Sequence, residues 1–300
     1  MKILIRNSFG ILLRIKFARK LLIKIIEATL LTKDLDGFKQ IQFEFLDFMR
    51  NTRLHVINSD QDIDLTYLKS NQLTTIKDST LLKIVEQTSK VMSEITQNIN
   101  ESLKIKKLDP SLQIQNSDFG NLFLTVPELT EPDNHYIFLL ALATAINAKK
   151  IVEVGTASGT SLCSFLLAKN VDSVTTFDLK ALSNNKSWVS ADSRAEITKF
   201  LDHQKPRWTQ YVANLEKVDE WYKYRNFFLD ADLVFVDTQH LGPFEELMGT
   251  RFVSELSKKT IFVWDDIRLS SMCEFWEMLK MKKIDVSGLG HYSGTGISMI

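Results

Sequence analysis

A chain of 300 residues is long enough for one large domain, or for one domain with an extension. Hydrophobic residues make up 44% and charged residues 25%, a globular composition, and 37 basic side chains balance 37 acidic ones. That balance excludes a global drive toward nucleic acid or anionic surfaces; the two cysteines, Cys163 and Cys273, have no metal-ligand spacing, so a reducing cytoplasm is the expected setting.

Turn residues are sparse at the start. No proline precedes Pro110, and only Gly10 and Gly37 precede Gly120. The first third is therefore expected to be helical, an extension over residues 1–112 ahead of a second domain over 113–300. Residues 1–33 carry eight Lys or Arg against one acid, Glu27. Ile11, Ile15, Ala18, Leu22, Ile25 and Ile26 share one helical face, with Lys16, Lys20 and Lys24 opposite. Three roles are open to this amphipathic basic helix. It docks on the second domain or on another subunit of a homo-oligomer, it lies on the inner membrane surface with its lysines toward anionic lipid, or it is a targeting segment. No apolar run reaches the roughly 20 residues needed to span a bilayer. Phe38, Ile41, Phe45, Leu46 and Phe48 continue the helical spacing over 34–56, and Leu82, Ile84, Val85, Val91, Ile95 and Ile99 predict another helix over 81–105. These read as a helical cap or an oligomerisation region, with no chemistry in them; His55 reads as structural or exposed.

Beyond Pro110 the texture changes to short apolar runs separated by Gly, Pro and Asp. Pro132-Asp-Asn134 starts a helix over 136–148. Ile151-Val-Glu-Val-Gly-Thr-Ala-Ser-Gly-Thr-Ser161 then reads as a buried strand turning through glycines into a helix over 162–169. Ile151, Val152 and Val154 suit a strand covered on both faces. Gly155 and Gly159 permit backbone conformations and approaches that a Cβ would block. Ser158, Thr160 and Ser161 bring hydroxyls to a helix N-terminus, where N–H groups receive anions. Glu153 adds an acid, so the expected ligand has a carboxylate to accept and cationic or hydroxyl groups to donate. Cys163, on the helix that follows, reads as a small buried apolar residue.

The next strand, 173–178, ends in Asp178. An acid about 20 residues past such a loop can accept from ribose hydroxyls; capping the next turn is the alternative. Residues 179–191 read as a long polar loop, in which Trp188 stacks on a ligand or pins the loop to the core. Trp208–Val212 reads as a third strand, with Asn214 after it. Strands ending at Asp237 and at Asp265-Asp266 would bring all three carboxylates to the same edge of a parallel sheet. Such a group is costly unless protonated or neutralised, and it suits a hard divalent ion such as Mg²⁺. Without a metal, Asp266 would cap the next helix or Arg268 would neutralise a carboxylate. His240, three residues after Asp237, is either a general base or an orienting residue. The glycine-dense Gly288–Ile297 reads as a hairpin leading to a closing strand over 296–300; the alternative is that His291 borders the substrate.

The run Glu153-x-Gly155-x-x-x-Gly159 resembles the first motif of class I S-adenosylmethionine-dependent methyltransferases, and the resemblance extends over about residues 129–300. It implies an α/β fold, a Rossmann-like class I methyltransferase sheet with helices on both faces behind the N-terminal helical extension. It implies S-adenosyl-L-methionine as cofactor, bound by Glu153, Gly155, Thr156, Ala157, Ser158, Gly159, Ser161, Asp178 at the ribose and Asn214 near the adenine. The acids look like those of metal-dependent O-methyltransferases of the catechol type, which implies Mg²⁺ at Asp237, Asp265 and Asp266. Those enzymes place a lysine at the spacing His240 occupies here. The tail, His291-Tyr-Ser-Gly-Thr-Gly296, and the run Asp265-Asp-Ile-Arg268 are similar to segments of some bacterial class I methyltransferase-like proteins. The implied reaction is methylation of a hydroxyl on a small molecule or sugar, with His240 or Asp237 taking the proton and no nucleic-acid partner. An NAD-dependent dehydrogenase would want Gly-x-Gly-x-x-Gly, but Ala157 and Thr160 hold its second and third glycine positions. A noncatalytic scaffold is the remaining competitor.

Overall fold

The computed structural model describes residues 79–108, 122–123, 125–130, 134–184, 189–256, 259–291 and 293–300. The expectations for 1–33 and 34–56, for His55, for the boundary at 112/113 and for Trp188 lie outside these residues. Among the described residues, no helix is long and apolar enough to cross a membrane.

Helix α1 (Ser79–Leu108) buries Leu81, Val85, Thr88, Met92, Ile95 and Ile99. Their spacing alternates four and three residues, which keeps one seam facing a partner. That partner is α2 (His135–Ala145), whose residues Ile137 to Ala143 are all buried. A helix apolar on every side must be covered on every side, and α1 covers what the sheet does not.

Seven strands form one sheet in the order β3-β2-β1-β4-β5-β7-β6. They are β1 (Lys150–Val154), β2 (Ser173–Asp178), β3 (Trp208–Val212), β4 (Leu233–Val236), β5 (Ile261–Asp265), β6 (Lys282–Asp285) and β7 (Thr295–Met299). The first five pair in parallel, and β7 runs antiparallel between β5 and β6. This is the Rossmann-like order with an antiparallel strand inserted before the last. The chain leaves β1 toward β2 and β3, then returns to the other side of β1 with β4. That reversal makes a crevice at the carboxyl ends of β1 and β4, the usual ligand position in such sheets.

Alternate strand residues feed two cores. Ile151, Leu233, Phe235, Ile261 and Val263 face α2, α3 (Thr160–Leu167) and α4 (Ala191–His203). Val152, Val154, Val234, Val236, Phe262 and Trp264 face α5 (Val218–Asp230), α6 (Pro243–Glu255) and α7 (Ser270–Met278). The second core is largely aromatic, with ring contacts running from Phe177 through Phe228, Trp221, Phe252 and Trp264 to Phe275. Each fully buried ring contributes on the order of 2–3 kcal/mol.

The residues after Val286 close a hairpin, because β6 and β7 pair antiparallel. Its register sets Thr295 opposite Asp265, so the turn ahead of β7 lies at the carboxyl end of β5. Two expectations for the segment after β5 are corrected. The N-cap of α7 is Leu269, not Asp266. Arg268 pairs with Asp285 at 2.9 Å, the carboxylate that ends β6 on the far side of β7.

Candidate functional site

The glycine loop is held from beneath. Glu153 is fully buried and accepts from Ser161 Oγ and from Thr176 Oγ1 at 2.6 Å. Thr176 Oγ1 lies 2.6 Å from Thr156 Oγ1, which in turn accepts from Gln210 Nε2 at 3.1 Å. One chain of hydrogen bonds thus ties β1, β2, β3 and the loop together. Burial, against the hydrogen bonds from Ser161 and Thr176, pushes the Glu153 carboxyl up to about 8. It therefore holds a proton at neutral pH and acts as a fastener.

Gly155 has φ +105°, and a Cβ there would stand 1.6 Å from the Asp237 carbonyl oxygen. The close approach expected of this glycine is thus to the β4 loop. Asp178 Oδ2 accepts from the N–H groups of Thr156 at 3.1 Å and Ala157 at 2.9 Å, and Oδ1 accepts from Lys180 N at 3.0 Å. Two loop N–H groups that the sequence offers to an anion are therefore directed at a side chain of the protein itself. Asp178 both caps the turn after β2 and stands half-exposed on the wall of a cavity.

That cavity, of about 310 Å³, occupies the crevice between the ends of β1 and β4. Gly155, Ala157, Asp178 and Asn214 line it together with Asp237, while Phe177, Leu179, Leu215 and Phe244 supply apolar walls. Asn214 Oδ1 accepts from Glu216 N at 3.0 Å, which fixes the loop after β3. Glu153, Thr156, Ser158, Gly159 and Ser161 do not line the cavity; they shape the loop from behind. Leu179, Leu215, Thr238 and Phe244 were not singled out from sequence; the first three follow strand ends within three residues, and Phe244 stands in the first turn of α6. The donor set suits an adenosyl group: a carboxylate for a diol and apolar faces for a base, in a space of ligand size.

Beside the cavity lies the acid–histidine cluster. His240 Nε2 stands 3.2 Å from Asp237 Oδ1 and 3.3 Å from Asp266 Oδ2. Burial lowers its proton affinity, but the hydrogen bond to Asp237 and the charges of Asp266, Asp237 and Asp265 win and raise its pKa to about 9. His240 is thus a charged bridge between two carboxylates at neutral pH. Its loop is pinned by buried Glu245, which accepts from Thr238 Oγ1 and, at 2.9 Å, from Gly242 N. His240 and Asp266 adopt φ of 55° and 56°, left-handed conformations that cost non-glycine residues about 1–3 kcal/mol each.

Deeper in, His291 Nδ1 lies 3.0 Å from Asp266 Oδ1 and 3.7 Å from Asp265 Oδ1. His135 Nδ1, from the first turn of α2, lies 3.8 Å from the same Asp265 oxygen. The Ser293 hydroxyl touches both Asp266 and His291. Asp265 Oδ1 is buried without a hydrogen-bond partner. Burial raises the Asp265 pKa well above the ordinary carboxylate range. Burial also opposes ionisation of Asp266, but the His291 hydrogen bond and the His240 charge prevail and lower its pKa. Asp237, Asp265 and Asp266 reach one cluster, but His240 stands between Asp237 and Asp266, and the ligand atoms within 4.8 Å of one another are those of Asp265, Asp266 and His291 rather than of the three acids expected to hold Mg²⁺. The residue set fits a cation best at Asp265 and Asp266, where the unpartnered oxygen is. His135 was not singled out from sequence; a histidine opening a helix just ahead of the first strand is the signal that points to it.

No protein-family model and no curated protein matches the chain. Among solved structures, it is similar to an O-methyltransferase from Bacillus cereus in complex with SAH, at 12% identity over 68% of this chain and 90% of that one, with a TM-score of 0.39. It is similar to the O-methyltransferase TomG from Streptomyces achromogenes, involved in tomaymycin synthesis and bound to SAM, at 17% identity over 66% and 96%, with a TM-score of 0.40. It is also similar to the SAH-bound methyltransferase PaMTH1 from Podospora anserina, at 12% identity over 71% and 94%, with a TM-score of 0.42.

Proposed function

We propose that the protein is an S-adenosylmethionine-dependent methyltransferase acting on a hydroxyl of a small molecule or sugar. The observation that carries this reading is the crevice between β1 and β4, where Asp178, Asn214 and Asp237 line one cavity beside the acid–histidine cluster. When bound, the cofactor would supply an electrophilic sulfonium methyl group, passed in line to the acceptor oxygen as the C–S bond breaks and the thioether leaves.

The protein's own work is to bind, to orient and to manage one proton. Asp178 receives ribose hydroxyls. Leu179, Leu215 and Phe244 exclude water around the adenine. Asp237 lines the cavity and is the cluster's carboxylate nearest an acceptor entering from that side. His240 lies behind it already protonated, so it orients Asp237 rather than serving as the base expected from sequence, and the acceptor's proton passes to the Asp237 carboxylate. A divalent ion held by Asp265 and Asp266 would add positive charge behind Asp237 and so favour loss of the acceptor's proton.

Calorimetric titration of the full chain with S-adenosylhomocysteine, with NAD as control, tests the reading. Micromolar binding of S-adenosylhomocysteine and none of NAD is expected. Asp178→Ala should weaken that binding at least tenfold. Unchanged affinity in the variant removes the ribose assignment, and a preference for NAD overturns the methyltransferase reading.

A further inference from the structure

We infer that Asp265, Asp266 and His291 form a mixed carboxylate–imidazole metal site, with His135 beside it, that takes a first-row transition ion such as Mn²⁺ or Co²⁺ in preference to Mg²⁺. One ligand atom from each of the three lies within 4.8 Å of the others. The spacing carries the first part of the argument. Asp265 Oδ1 stands 3.7 Å from His291 Nδ1 and 3.8 Å from His135 Nδ1. Both separations are too long for hydrogen bonds. Two donors bound about 2.1 Å from one ion sit roughly 3.0–3.4 Å apart at octahedral or tetrahedral angles, so shifts of a few tenths of an ångström would seat an ion among them.

The second part is the state of Asp265. Its side chain is 6% exposed, and its Oδ1 has no hydrogen-bond partner although it faces two imidazoles. A buried polar atom left unsatisfied costs about 1–3 kcal/mol, and native structures rarely keep one without a use. Arg268, the nearest cation in sequence, pairs with Asp285 instead. A bound cation is the group that satisfies Asp265 with the neighbours it has.

The scaffold holds these donors independently of the cavity. Asp265 ends β5. His291 N donates to Thr295 Oγ1 at 2.9 Å, and Thr295 is the register partner of Asp265. Gly290 and Gly294 let the hairpin lie this close, since a Cβ at either would meet Thr295 at 2.5 Å or Arg268 N at 2.7 Å. On the outer side His240 holds Asp266 Oδ2, an orienting contact of the kind metal ligands keep. The ion preference follows from the donors. Mg²⁺ favours oxygen and water, whereas imidazole suits the later first-row ions. This set differs from a purely carboxylate one built on Asp237, because His291 replaces Asp237.

The test uses the full chain, stripped with chelator and titrated with MnCl₂, CoCl₂ and MgCl₂ in the absence of any methyl donor. One ion per chain is expected, with Mn²⁺ or Co²⁺ bound at least tenfold tighter than Mg²⁺. Spin-echo spectroscopy of the Mn²⁺-loaded wild type should show nitrogen coupling from imidazole, a readout that needs no variant. His291→Ala should weaken Co²⁺ at least tenfold, and Asp237→Asn should change it less than threefold. No ion bound, no nitrogen coupling, or a loss confined to Asp237→Asn overturns the site. Because no donor is present, failure of S-adenosylhomocysteine to bind would count against the methyltransferase reading and leave this result standing.

Discussion

Two side chains near the glycine loop have proton affinities shifted upward, with opposite meanings for function. His240 keeps its charge up to about pH 9, so it neutralises Asp237 and Asp266 through the physiological range. Glu153 keeps its proton up to about pH 8, so the loop rests on a neutral acid. The sign of the stability effect follows from linkage. An acid whose folded pKa lies above its unfolded value of 4.5 binds more protons when folded. Its contribution is fully present below pH 4.5 and is lost as pH rises through 8. Glu153→Gln keeps the shape and removes the titration. The melting temperature of the unmodified protein should therefore fall more steeply between pH 6 and 9 than that of the variant, by about 3 °C or more. Parallel curves from calorimetric scans would show that Glu153 does not titrate there.

At the scale of elements, the close approach of the chain just past β1 and β4 depends on one missing methyl group. Gly155→Ala would drive a Cβ into the Asp237 carbonyl at 1.6 Å and strain φ at +105°. Both residues directly follow buried strands, and their N–H groups bond to Phe177 O and Val154 O, so neither backbone can readily yield. A loss of about 3 kcal/mol or more is expected. Gly288→Ala is the control, since nothing lies within 4 Å of the added Cβ, and it should stay within about 0.5 kcal/mol of the parent. Urea unfolding of the two variants separates these outcomes. The same elements explain what was legible beforehand. β1, β4 and β5 are mostly apolar runs stopped by glycine or acid, and β2 is a β-branched stretch stopped by Asp178; that punctuation survives in a single sequence. Helix α5 is not so marked, because only Trp221, Tyr224 and Phe228 of its thirteen residues are buried among many charges. Gly242-Pro243 looks like a break, yet it starts α6, with proline at the first helical position. His291 and Asp265 are both visible in the sequence, but their meeting depends on the antiparallel placement of β7, which no local pattern encodes.

For the molecule as a whole, the open question is where the sheet-bearing unit begins. The change in composition near Pro110 suggests a start at 113, and the packing of α1 speaks to that point. Its residues Leu81, Val85, Met92, Ile95 and Ile99 belong to the same core as α2 and the sheet. Burying five such side chains contributes about 7–15 kcal/mol as an upper bound. That equals the net stability of a typical domain, about 5–15 kcal/mol. Removing α1 would also bare α2, which has no polar face to offer water. A fragment of residues 79–300 should therefore melt in one cooperative transition, while a fragment of residues 113–300 should show none or aggregate. Leu81→Ala with Val85→Ala in the full chain should cost about 3–6 kcal/mol, since both side chains are at most 2% exposed. If residues 113–300 alone gave a sharp melt near that of the longer fragment, α1 would be an accessory to the fold, and its buried seam would need another explanation.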